Sequence, residues 1–153
     1  WNTNIDNAWF WRGPDGNLNC GLMDWGHARQ MNVVYALWGC LCGAGLEVWD
    51  TRLEEMLALF ASQYSASGGP MLCLRELRQH LTVYIAIVGL ANLMDVPALV
   101  LGRLPEAAGA GSLNDAIFED HEIVRSFLHI LQVFLHFWSA NDIAGSVKDI
   151  VSG

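Results

Sequence analysis

The sequence predicts a mainly α-helical domain that begins with a small β-hairpin. Two apolar runs, residues 8–11 and 18–23, flank the turn-forming sequence Gly13-Pro14-Asp15-Gly16, a pattern that favours two antiparallel strands. Beyond the hairpin, apolar residues recur at helical spacing. We therefore expect a single domain of 153 residues, with a loop and hairpin over 1–28 and helices over 30–153.

The hairpin should bring together residues that lie far apart in the sequence. Asn7 precedes the first strand and Asp24 follows the second, so both are expected at the open end. In the first strand Trp9 and Trp11 alternate with Phe10, which puts the indoles on one face and the phenyl ring on the other. Two strands cannot bury both faces alone. We expect helices against one face and a protein partner against the other, with these three aromatic residues at the interface.

Helical periodicity marks five segments, residues 30–43, 49–64, 72–94, 98–104 and 115–138. The first is apolar on nearly every side and is typical of a buried helix. The second has an apolar stripe and acidic residues in its first turn, where they suit the positive end of the helix dipole. The tail over 139–153 is only weakly amphipathic.

The composition predicts a partner. Hydrophobic residues make up 53% of the chain and charged residues 16%, against roughly 25% charged in ordinary soluble domains. The best candidate for a membrane span, Leu81–Leu101, is interrupted by Asp95 and Pro97, and the clean apolar stretch before them is shorter than the ~20 residues a span needs. Peripheral association with an assembly or a membrane surface is therefore favoured over a transmembrane helix.

The charge balance argues against nucleic-acid binding. Eight basic residues face 16 acidic ones, the net charge is -8, and Lys148 is the only lysine. The four cysteines show neither zinc-site spacing nor a disulfide framework, which favours buried reduced thiols and a reducing compartment or organelle. The chain opens on Trp1 without an initiator methionine or a signal peptide, so we expect it to be a piece of a longer protein.

The polar residues around Asn7, the hairpin and the sequence Asp24-Trp25-Gly26 together resemble the catalytic segment of the protein-kinase-like superfamily, especially its aminoglycoside and choline phosphotransferase branch. In that family a loop asparagine and the aspartate of the D-[FW]-G motif hold Mg ions that bridge the nucleotide phosphates. The resemblance implies a fold like the large, C-terminal lobe of such a kinase. If the chain is part of a working kinase, the resemblance also implies that Asn7 and Asp24 are metal ligands, with Mg and ATP as cofactors. Otherwise Asn7 satisfies loop backbone groups and Asp24 caps or anchors the turn after the hairpin.

The family pattern is degenerate at the positions that carry the chemistry. The catalytic base should lie five residues before Asn7, where this chain has Asn2, and an amide cannot accept a proton as a carboxylate does. Asp6 is an adjacent carboxylate, but it is one residue out of register with Asn7. Two acidic positions further along fall on Asn32 and Ala36. No Gly-rich loop or phosphate-binding lysine is present in this sequence.

These departures predict a non-catalytic, kinase-lobe-like structural subunit of a larger multiprotein assembly, bound to other protein subunits. The alternative is the C-terminal half of a Mg/ATP-dependent small-molecule phosphotransferase. A third interpretation is a peripheral subunit of a membrane complex that holds pigments.

The histidines offer further candidate ligands. His129 and His136 are seven residues apart and share one face of the last predicted helix. Either could ligate a metal or a pigment. Because two helical turns separate them, both cannot ligate the same ion. Positions at the edge of the core or at a protein interface are favoured for both. His27 follows Asp24-Trp25-Gly26 and is expected in an exposed loop.

Overall fold

The computed structural model of the chain describes residues 3–28 and 30–152. Within them the fold is mainly helical, 66% helix, with a small two-stranded antiparallel sheet. The prediction of a helical chain behind an N-terminal hairpin is therefore confirmed. In chain order the α-helices are α1 (Val34–Leu41), α2 (Leu46–Thr51), α3 (Leu53–Ala66), α4 (Leu74–Val88), α5 (Val96–Arg103), α6 (Glu122–Ala140) and α7 (Ile143–Ser152).

Turn chemistry shapes the hairpin. Strands β1 (Ala8–Arg12) and β2 (Leu18–Leu22) pair antiparallel. The Gly16 N–H donates to the Gly13 carbonyl at 2.9 Å, and Gly16 adopts φ 79°, a conformation that glycine takes at little cost. Asp15 stabilises the same turn, because its carboxylate accepts hydrogen bonds from the backbone and side-chain nitrogens of Asn17.

Neither face of the hairpin is covered by the helices. Trp9 is 62% exposed, Phe10 54% and Trp11 46%. The expectation that helices would cover one face is therefore wrong. The segment before the hairpin is attached to α1, because the Thr3 hydroxyl donates to the Ala36 carbonyl at 2.7 Å. The strands begin after this attachment and extend beyond it.

The core forms around α4 and α6. Leu81 and Ile85 of α4, with Val133 and Phe134 of α6, are almost completely buried. Helix α1 packs on α4 from one side and α7 from another, and the side chain of Gln79 on α4 bonds the tail helix. Most of the hydrophobic driving force for folding therefore acts on the helical part of the chain.

Helix α4 continues into α5 through a π-helical turn, Gly89–Leu93. A turn at Met94 and Asp95 separates the π-helical segment from α5, close to the expected interruption. Pro97 lies in the first turn of α5, where its missing N–H is not needed, so it does not break this helix. The resulting run, Leu74–Arg103, is long and apolar enough to cross a membrane, and so is α6. This is weak evidence for a membrane span, since the core helices of soluble proteins pass the same test.

Two other expectations need correction. Helix α6 begins at Glu122 rather than near residue 115, because Asp115 caps a separate short 3-10 turn by accepting from the Ile117 N–H at 3.1 Å. The stretch predicted as one helix over 49–64 is split at Arg52 into α2 and α3. The tail forms α7, within the region that is expected to be helical.

The cysteines are not buried as a group. All four are free thiols; Cys42 is half-buried, and Cys20, Cys40 and Cys73 are exposed. The prediction of buried thiols is therefore wrong for three of them. Cys20 lies on β2, which the helices leave uncovered, and Cys73 immediately precedes α4.

Candidate functional site

The open end of the hairpin brings Asn7 and Asp24 to the same end of the sheet. Ala8 lies opposite Leu22, and the Met23 N–H donates to the Asn7 carbonyl at 2.8 Å. Asp24 follows directly on the second strand. The hairpin thus produces the juxtaposition that the sequence spacing predicts, while the metal-binding role of the two residues stays a prediction.

Asp24 has an unusual backbone conformation. Its φ and ψ are 56° and 60°, in the left-handed region, and it is the non-glycine residue with positive φ within 3–28 and 30–152. Aspartate tolerates this region better than most residues, and such conformations are often found at functional sites. Asp24 also occupies the N-cap position of the 3-10 turn Trp25–His27, yet its side chain forms no capping hydrogen bond there.

The open end could supply part of a magnesium site. Asn7 and Asp24 carry amide and carboxylate oxygens, the hard donors that Mg²⁺ prefers. Across the described residues no group of three His, Cys, Asp or Glu side chains is placed to hold a metal ion. Phosphate oxygens and water would therefore have to complete the coordination shell. Asn2, at the position of the expected catalytic base, lies outside the described residues.

The two other degenerate positions help to build helix α1. The Asn32 side-chain oxygen accepts a hydrogen bond from the Val34 N–H at 3.1 Å at the start of this helix, and the Ala36 carbonyl accepts the anchoring bond from Thr3. The resemblance leads us to expect carboxylates at these two positions, and this chain has an amide and a methyl group instead. Neither side chain can bind a cation through a negative charge.

One face of the hairpin carries a packed pair of indoles. The ring centroids of Trp9 and Trp11 lie 5.8 Å apart with an interplanar angle of 78°. Gly21 lies opposite Trp9, and a Cβ atom at this glycine would come within 2.6 Å of the Trp9 Nε1 atom. The Trp9 indole thus lies over the Gly21 backbone, and the absence of a side chain at Gly21 allows this orientation of the ring. An edge-to-face pair of this kind is favourable for aromatic rings.

The opposite face is also apolar and exposed. By strand alternation Phe10 shares this face with Leu18, Cys20 and Leu22, and all four are exposed. The hairpin therefore presents two apolar surfaces to its surroundings.

A polar cluster centred on Arg78 was not predicted. The Arg78 Nε atom lies 2.9 Å from the Glu54 carboxylate, and its Nη2 atom donates to the Asn141 side-chain oxygen at 2.6 Å. The guanidinium also lies 5.1 Å from the centroid of the Phe137 ring. Arg78 thus connects α3, α4 and the end of α6. No sequence signal marks these contacts, because the Asn141 partner is 63 residues away.

Both candidate ligand histidines connect α6 to the region of α2. The His136 Nε2 atom lies 2.6 Å from the Asp50 carboxylate, and the His129 Nε2 atom lies 3.1 Å from the Ala44 carbonyl. Both are half-buried at the edge of the core. His136 and Arg78 also line a cleft of about 170 Å³ in which their polar atoms contact side chains of the same chain.

Two regions therefore have the properties of a functional surface. The open end offers oxygen donors beside a left-handed aspartate, and the hairpin faces offer exposed aromatic rings. Comparison of the chain with protein-family models, with curated proteins and with solved structures gave no match.

Proposed function

We propose that this chain is a non-catalytic, kinase-lobe-like subunit that binds other proteins through its N-terminal hairpin. The observation that carries this proposal is the exposure of Trp9, Phe10 and Trp11 on two uncovered faces of one small sheet. Single exposed apolar residues are normal on protein surfaces, but contiguous apolar patches mark interaction sites.

The size of the aromatic surface suits a docking role. Three aromatic side chains exposed by about half present roughly 300 Å² of apolar surface, worth about 7 kcal/mol at 25 cal/mol per Å² if fully buried. Association costs several kcal/mol, so this cluster would be the centre of an interface rather than all of it. Tryptophan is among the residues that contribute most at such centres.

The degenerate positions support a non-catalytic role. Asn2 replaces the expected base, and Asn32 and Ala36 contribute to helix α1 through a side-chain oxygen and a backbone carbonyl. The proposal is also supported by the hairpin, which brings Asn7 and Asp24 to one end of the sheet, as the resemblance leads us to expect. We infer that the scaffold was retained while its catalytic groups were lost.

Site-specific photocrosslinking tests the docking role. A benzoylphenylalanine at Phe10 should form a discrete crosslinked species of higher mass in the cells that produce the protein. The same group at Phe127, a 43% exposed phenylalanine on α6, is the matched control and should not give this species. Equal crosslinking at both positions, or none at Phe10, would contradict the proposal.

One observation favours the phosphotransferase alternative: the left-handed conformation of Asp24 beside Asn7. Isothermal titration calorimetry with Mg-ATP tests it. The non-catalytic account predicts no measurable heat of binding. The phosphotransferase alternative would be favoured if the wild-type chain binds Mg-ATP tightly, Asp24→Asn abolishes this binding and the control Asp15→Asn leaves it intact.

The membrane interpretation is favoured by an apolar stripe on the α4–α5 run. Ile87, Leu90 and Met94 are exposed at helical spacing. Flotation with neutral phosphatidylcholine vesicles tests this interpretation, because a chain of net charge -8 should avoid anionic lipid. Membrane association would be supported if the wild-type chain floats with the vesicles and the Leu90→Lys variant stays in the soluble fraction.

A further inference from the structure

Strand β1 has an open hydrogen-bonding edge. The Gly13 N–H donates to the Asn17 carbonyl at 2.9 Å, and the Met23 N–H donates to the Asn7 carbonyl at 2.8 Å. In an antiparallel ladder the bonded pairs alternate with non-bonded pairs, so the odd-numbered residues of β1 bond to β2. The backbone groups of the even-numbered residues point away from the sheet.

Five backbone groups are available along this edge. The Ala8 N–H already donates to the Ile5 carbonyl. That leaves the Ala8 carbonyl and the N–H and carbonyl groups of both Phe10 and Arg12 directed outward, with no partner among the described residues.

The edge of β2 is different because Trp25 covers part of it. The Trp25 Nε1 atom donates to the Leu22 carbonyl, one of the outward groups of β2, at 3.1 Å. Within residues 3–28 and 30–152, no side chain donates in the same way to an outward carbonyl of β1. Natural proteins usually block a free strand edge with proline, a bulge, an inward charge or a covering element. At Ala8 the 3-10 turn Ile5–Asn7 covers the edge, because the Ile5 carbonyl accepts the Ala8 N–H. From Trp9 to Trp11 the β1 edge has none of these features among the described residues, and Arg12 stands only at its other end.

We propose that the β1 edge pairs with β1 of a second copy of this chain, forming a four-stranded antiparallel sheet centred on Phe10. This inference rests on the proposed docking role of the hairpin and names its partner. The sequence Trp9-Phe10-Trp11 is symmetric about Phe10, so a two-fold axis through Phe10 places an aromatic residue opposite an aromatic residue at all three positions. Each Trp9 then lies opposite Trp11 of the second copy, and the two Phe10 rings are neighbours on the other face.

The free backbone groups match this register. Each Phe10 N–H donates to the Phe10 carbonyl of the second copy, and each Arg12 N–H donates to the Ala8 carbonyl of the second copy. The Ala8 N–H is occupied by Ile5, so the Arg12 carbonyl at each end of the strand pair is left to solvent. The charges agree as well: each Arg12 lies opposite an alanine, at opposite ends of the strand pair, so no like charges face each other.

Sedimentation velocity across a concentration series in the micromolar range tests the proposal. The mass of the 153-residue chain should rise from 16.9 kDa towards twice that value. Phe10→Pro removes an outward N–H without removing a bond to β2, and should keep the chain monomeric. Cys20→Pro makes the same change at the residue opposite, on the β2 edge, and should leave dimerisation intact.

A second pair of variants keeps the test independent of proline strain. Phe10→Lys places two positive charges opposite each other at the two-fold axis and should also prevent dimerisation, whereas Cys20→Lys should not. A wild-type chain that stays monomeric at every concentration would overturn the inference, as would a dimer that survives both Phe10 variants. If Phe10 then still crosslinks to a different protein, the docking role stands and only the second copy is excluded.

Discussion

Gly89 and Phe134 lie so close together that the phenyl ring occupies the space that a methyl group on Gly89 would need. Gly89 begins the π-helical turn between α4 and α5, and Phe134 is a fully buried residue of α6. The close approach of these helices at the centre of the core therefore depends on a residue without a side chain.

Replacing Gly89 with alanine should destabilise the fold. Alanine improves helix propensity by up to about 1 kcal/mol, but the overlap with Phe134 costs typically 1–3 kcal/mol, and we expect a net loss of about 1–2 kcal/mol in urea unfolding. Gly102→Ala on α5 is the control, because nothing lies within 4 Å of its Cβ position, and it should stabilise by about 0.5–1 kcal/mol. Equal effects of the two substitutions would contradict the packing described for Gly89.

Arg78 should contribute more to stability than other surface arginines. Arg78→Ala removes the bonds to Glu54 and Asn141 and leaves the Asn141 oxygen without its donor, so we expect a loss of about 2 kcal/mol in the free energy of unfolding. Arg75→Ala, one turn earlier on the exposed side of α4, should change it by less than about 0.5 kcal/mol. Similar values for both would show that the cluster contributes little.

Cys42 should react with thiol reagents more slowly than the other cysteines. Burial raises the pKa of the Cys42 thiol, so less of the reactive thiolate is present near neutral pH. Mass-spectrometric iodoacetamide labelling should modify Cys20, Cys40 and Cys73 first and Cys42 at least about tenfold later. In urea the four rates should converge, and a fast Cys42 in the folded chain would refute this expectation.

The hairpin turn should loosen at low pH. Hydrogen bonds from the Asn17 backbone and side chain lower the pKa of Asp15 below its ordinary value of 3.8. A carboxyl group whose pKa is lower in the folded state stabilises that state above its unfolded pKa, and this stabilisation is lost as the pH falls through the lowered value. The near-ultraviolet circular dichroism of the Trp9–Trp11 pair should weaken in this range. Asp15→Ala should remove the pH dependence, and an unchanged titration in that variant would rule out Asp15 as its origin.

The sequence was informative where structure is local. The hairpin followed from Gly13-Pro14-Asp15-Gly16 between apolar runs, because turn residues and strand alternation act over a few positions. The meeting of Asn7 and Asp24 followed from the same short register. Long-range contacts such as Arg78 to Asn141 could not be predicted, since no local pattern specifies a partner on another helix.

The predicted helix boundaries were wrong for related reasons. Residues near Asp115 have the capping chemistry of a helix start, but the cap serves a short 3-10 turn, and α6 begins seven residues later at Glu122. The stretch over 49–64 was predicted as one helix, yet it is split at Arg52 into α2 and α3. Tertiary packing decided both outcomes over intrinsic preference.

If the hairpin aromatics serve docking, they should contribute little to the stability of the helical body. Thermal unfolding by far-ultraviolet circular dichroism, combined with crosslinking from Phe10, tests this in a Trp9→Ser/Trp11→Ser double variant. We expect a melting temperature within about 2 °C of wild type and a crosslink yield at least about tenfold lower. A melting temperature several degrees lower with an unchanged crosslink yield would contradict it.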